Sequence, residues 1–157
     1  MGQTDWAIGA TEWSVQASNT FIYLGAHAST CIALPCSSPF FSEYIEGSSN
    51  NKGFEIYNPS SSALDLGPYK VIVSGNGGSF TNEFNLSGIL ASGDVYTITT
   101  DQADPIMLAV ADTALSFPSV AHFNGDDALF LVDTSMNDTL DIIGVIGVDP
   151  GSSWPVG

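Results

Sequence analysis

From Phe40 onward the chain alternates short apolar runs with polar turns. The runs are FFSEYIE, GFEIYNP, LDLGPYKVIVS, SFTNEFNLSG, DVYTITT, PIMLAVA, DALFLVD and TLDIIGVIG. They are rich in Val, Ile, Phe, Tyr and Thr, residues that suit a pleated, half-buried surface. Phe54, Ile56 and Tyr57 flank Glu55, Val71 and Val73 share one face, and Val95, Tyr96 and Ile98 straddle both. GSSNNK, Gly75-Asn76-Gly77-Gly78, LASGD and NGDD punctuate the runs. Turn signals about every 8–12 residues predict an all-β sandwich or barrel. ALFLV and IIGVIGV are apolar on both faces and read as central strands, with Gly144 and Gly147 inviting a bulge. Helical periodicity is weak. The best helical candidate is ADTALSF, where Asp112 is placed to cap a single turn.

One segment breaks the order. TEWSVQASNTFIYLGAH, residues 11 to 27, is aromatic and apolar, so it calls for burial, yet it precedes the strands.

Composition narrows the class. A chain of 157 residues is the size of one domain and can bury a core. Apolar residues are 44% and charged ones 12%, which is not a disordered composition. Charge is lopsided: 17 acids face only Lys52 and Lys70, for a net charge of −15. Nucleic-acid affinity comes largely from Lys and Arg on phosphates, so this surface repels nucleic acid and anionic lipid alike. Carboxylates that keep a Lys-poor chain in solution are the favoured reading of the acidity, ahead of a cation-binding surface. No run of 18 apolar residues exists, so membrane insertion is not expected. The opening MGQTD lacks the basic and apolar regions of a signal peptide.

Candidate chemistry is sparse. Cys31 and Cys36 in CIALPC have too few companions for zinc and the wrong spacing for a thioredoxin pair. A local disulfide is the best reading and implies an oxidising compartment, with two free thiols as the alternative. His122 precedes FNGDD and invites a pairing with Asp126 or Asp127, but no G-x-S-x-G nucleophile elbow accompanies it. Asp126 and Asp127 are candidate calcium ligands, and Asp101 and Asp104 form a second pair. The plainer reading of Asn124-Gly125-Asp126-Asp127 is turn formation. No catalytic residue and no cofactor is assigned, calcium being the one ion to weigh.

Taken in order, SEYIEGSSNNKGFEIYNPSSSALDLGPYKVIV, FNLSGILASGDVYTI, HFNGDDALFLVD and LDIIGVIGVDPGSSW resemble the bacterial lamin-tail domain. The resemblance spans about Phe40 to Trp154 and implies an immunoglobulin-like β-sandwich of two antiparallel sheets. It divides the chain into a tail, 1–38, and a sandwich, 39–157. In many members a basic closing strand follows the DPGSSW turn, and then a tail similar to Glu12-Trp13, Thr20-Phe21 and Leu24-Gly25-Ala26-His27 here. The order therefore reads as one period of a tandem or permuted array without its closing strand. Trp13, Phe21, Ile22 and Leu24 are expected to pack on a sandwich, their own or a neighbour's. His27 is expected to pack or cap, and Trp6, Trp13 and Trp154 to lie near one another. An unpaired sheet edge is a template for another chain. The expected function is a non-catalytic binding or structural module of a secreted or cell-surface bacterial protein. Its partners are proteins, including itself as a homo-oligomer or filament formed by strand exchange. The alternative is an accessory domain of an extracellular nuclease or phosphoesterase.

Overall fold

A computed structural model of the chain describes residues 4, 7, 10–27 and 37–154. Two four-stranded sheets face each other. The first has the order β1-β2-β7-β8, built from Phe40–Glu46, Lys52–Tyr57, Val95–Thr100 and Thr113–Leu115. The second has the order β10-β9-β4-β5, built from Asp138–Ile143, Ala128–Asp133, Tyr69–Ser74 and Phe80–Asn85. A two-stranded ribbon joins β3, Leu64–Asp65, to β6, Ile89–Leu90. All pairs are antiparallel except β7 with β8, which is parallel.

Strand alternation fills the space between the sheets. Phe54 and Ile56 of β2, Ile98 of β7, Val71 and Val73 of β4, and Leu129 and Leu131 of β9 share one buried cluster. Each such side chain stabilises the fold by about 1.5–3 kcal/mol when fully buried. Tyr44 stacks on Phe123 with ring centroids 4.7 Å apart, closing the core beneath β1.

ADTALSF does not form the expected helix: Thr113–Leu115 is strand β8. Asp112 is used differently, its carboxylate accepting from Thr97 N at 2.8 Å and its own N–H donating to Thr97 O at 2.9 Å. Those bonds start β8 along β7. The α-helix lies earlier, α1 at Pro105–Leu108, inside a run read as a strand. Asp104 accepts from Ile106 N at 2.9 Å and Pro105 occupies the first turn. Both are favoured helix-start features.

The edges that meet beside the core are both bulged. β1 shifts register between Phe41 and Glu43, and β10 between Thr139 and Asp141. Asp141 is buried at this junction, and its Oδ2 accepts from Phe41 N at 2.8 Å, stitching the sheets together. Beyond β10, Gly144 has φ +86° and lies so close to the Trp154 indole that a Cβ there would sit 2.6 Å from Nε1. That glycine admits Trp154 onto the end of the sandwich.

Candidate functional site

Register dictates the outer face of the first sheet. Glu43 of β1 pairs with Glu55 of β2, and Glu55 pairs with Thr97 of β7. Asp112, bonded to Thr97, ends the row. The outer face thus carries a polar line, and two of its members are carboxylates set directly opposite each other. Like charges in that position destabilise a sheet.

The tail lies over this arrangement. Residues 13–27 add no strand to either sheet. Phe21 and Leu24 are buried with Ile45 of β1, Ala103 and Met107, on the same outer face. The turn bond from Leu24 N to Phe21 O, 3.2 Å, brings these two side chains to one side. Ile22, expected to pack on a sandwich of its own or of a neighbour, does not pack on its own: it is 80% exposed. A tight turn cannot direct consecutive side chains inward, and Ile22 and Tyr23 take its solvent side. Asn19 docks on the β1–β2 turn, its Oδ1 accepting from Ser48 N at 3.0 Å. Gly47 permits this, because a Cβ there would lie 2.5 Å from that Oδ1. His27 ends the covered stretch, its ring 4.6 Å from Tyr57 and 6.0 Å from Phe40. Burial lowers its pKa, so it packs as a neutral ring.

Beneath the tail, Glu55 is fully buried. Its carboxylate accepts from Gly25 N of the tail and from Ser42 Oγ. Burial raises its pKa, and the hydrogen bonds from Ser42 and Gly25 pull it back only in part. Burial, with the Glu55 charge behind it, pushes Glu43 up to about 7.

Beside this face lies a cleft of about 670 Å³ along the free edge of β1. Residues 13–20 form one wall, and Asp141–Ile143 with Trp154 form the other. Trp13 and Trp154 both line it and are both partly buried against the main core. Trp6 lies outside the described residues, as do Cys31 and Cys36.

The remaining candidates are absorbed by local structure. Asp127 is buried, its two oxygens accepting from Asn76 N and Asn124 N, each at 2.8 Å. It therefore ties the β4–β5 turn to the NGDD turn. Asp126 Oδ1 is buried without a hydrogen-bond partner among the described residues. Among those residues no three His, Cys, Asp or Glu side chains converge to hold a metal. Asp101 accepts from Ser116 Oγ, and Asp104 caps α1. His122 Nδ1 lies 2.8 Å from Ser119 Oγ rather than against Asp126 or Asp127. The same Ser119 Oγ accepts from Ala121 N at 3.3 Å, which makes the pair a turn lock.

Two groups had weak signals in sequence. Asn58 is fully buried, with Nδ2 facing the carbonyls of Ser62, Leu90 and Ala91, at 3.0, 3.1 and 3.0 Å. Its Asn-Pro dipeptide signals a turn and nothing more. Glu55 alternates with core residues, which reads as solvent-facing unless something covers that face.

The bulged sandwich matches the family model of the Lamin Tail Domain over residues 35–147. The chain belongs to the lamin tail domain family. That match covers most of the sandwich and stops before Trp154. The lamin tail domain is a non-enzymatic immunoglobulin-like domain, often a binding or structural module. No curated protein matches this chain. In this lamin tail domain the tail-covered outer face of the first sheet adjoins the β1 cleft.

Proposed function

We propose that this lamin tail domain is a non-catalytic, protein-docking module of a secreted or cell-surface protein, and that it docks through the free edge of β1. The observation that carries this reading is the cleft itself. It runs along a terminal strand of the first sheet and is lined by residues 13–20 of the tail and by the end of β10. Addition of a strand to an exposed sheet edge is a general mode of peptide recognition. The extracellular setting is supported by the reading of Cys31 and Cys36 in CIALPC as a local disulfide, which calls for an oxidising compartment.

Light scattering across a range of concentrations, run beside amide hydrogen exchange, tests this. A monomer whose β1 amides exchange faster than those of β2 and β7 supports a docking edge awaiting its partner. A mass that grows with concentration, with β1 protected, replaces this reading by self-association. Protection of β1 in a monomer contradicts edge docking.

A further inference from the structure

We propose that the β1 edge takes an extended segment of a partner protein that carries Lys or Arg, added to the first sheet as a further strand. This deepens the docking reading above and rests on it.

The edge is available. β1 is terminal in its sheet. Among the described residues, the one β1 backbone group seen bonded away from β2 is Phe41 N–H, held by Asp141. Edge strands are commonly guarded by charged side chains, lysine above all, by proline, by a bulge or by a covering segment, and β1 carries Glu43 and Glu46 as its charges. FFSEYIE contains neither lysine nor proline, and its bulge lies at Phe41/Glu43, which leaves Glu43–Glu46 in regular register.

The charge selects the occupant. Glu43, Glu46 and Asp141 line the cleft, with Trp13 and Trp154 as its aromatic walls; Glu46 is paired with Lys52 and Asp141 holds Phe41 N–H, so Glu43 is the carboxylate that selects. Glu43 faces Glu55 with no cation between them among the described residues, and its raised pKa reflects burial and that crowding. A cationic side chain seated there would relieve the repulsion. Residues 1–157 of a second copy do not supply it. Their only cations are Lys52 and Lys70, which pair with Glu46 at 3.3 Å and Glu83 at 2.8 Å.

The experiment uses the intact chain and two peptides of about seven residues, the length of β1. One alternates Val and Lys, the other Val and Glu. Affinity and amide exchange are read together at about 0.15 M salt, where the general attraction of the acidic surface is screened. The Val/Lys peptide is expected to protect amides of Glu43–Glu46 and to bind at least about tenfold more tightly than the Val/Glu peptide. Glu43→Lys is expected to lose about tenfold, and Glu43→Gln a smaller factor in the same direction should the lysine variant fail to fold. Glu83→Gln, on β5 at the far edge of the other sheet, leaves affinity unchanged. Equal affinity for the two peptides at β1 overturns the cationic occupant and leaves the docking reading standing. Protection at β5 or β8 overturns it as well. If neither peptide binds at any edge, both readings fall.

Discussion

The two outer faces of the sandwich are buried in opposite ways. The outer face of the second sheet is apolar: Ile72, Phe130, Ile142 and Ala128 form a buried cluster with Val132 at its margin. The outer face of the first sheet carries Glu43, Glu55 and Thr97, and a tail is folded over it. An apolar face gains stability in proportion to the area it removes from water, whatever the pH. A face of opposed carboxylates is covered at a cost that depends on their protonation. The covering of the first sheet is therefore the adjustable part of the molecule, and it adjoins the cleft.

The largest predicted effect falls on the apolar face. Phe130→Ala is expected to cost about 3–5 kcal/mol in a denaturant titration, by the same amount at pH 5 and pH 8. A pH-dependent loss would erase the contrast between the faces. On the tail-covered face, Leu24→Ala is expected to cost about 2 kcal/mol, at the low end for a buried leucine, because only a tail must detach. Its signature is local: amides near Gly25 exchange faster while those of β4 and β9 keep their protection. Loss of protection throughout would mean the tail and core unfold as one.

The next effect is electrostatic. Glu43 titrates at about 7 in the folded protein, against 4.5 ordinarily. The folded state thus binds this proton more tightly than the unfolded state does. The stabilisation is full below about pH 4.5 and is lost as pH rises through about 7. The protein is expected to melt higher at pH 5 than at pH 8, and Glu43→Gln to flatten that difference. An unchanged pH profile in the variant would show that the Glu43–Glu55 opposition does not govern it. The smallest effect is at Ile22, on the solvent side of the turn, where Ile22→Ala should change stability by less than about 0.5 kcal/mol. A larger loss would mean that a surface covers Ile22.

The sandwich was legible because alternation is local. Phe54 and Ile56, or Val71 and Val73, declare their shared face within a few residues. The tail's burial was legible from its aromatic content, though which of its residues turn inward was not. Phe21 and Leu24 face the sheet and Ile22 does not, because a turn, unlike a strand or helix, has no repeating direction to read. PIML and TAL exchanged their expected states through contacts of opposite kinds. The helix start at Asp104-Pro105 is local and could have been read. The strand at Thr113–Leu115 depends on Asp112 meeting Thr97, which only the fold brings together. The Glu43–Glu55 pair was invisible for the same reason, since it exists only through the register of β1 on β2 and the tail above it.

The most direct test is the exchange rate of the Gly25 amide at high dilution, where no neighbour can contribute. Gly25 N–H donates to Glu55 beneath the tail, so slow exchange that quickens in Glu55→Ala is the predicted result. Fast exchange in the unaltered protein would mean that the tail does not cover its own first sheet, and the contrast between the two faces would fail.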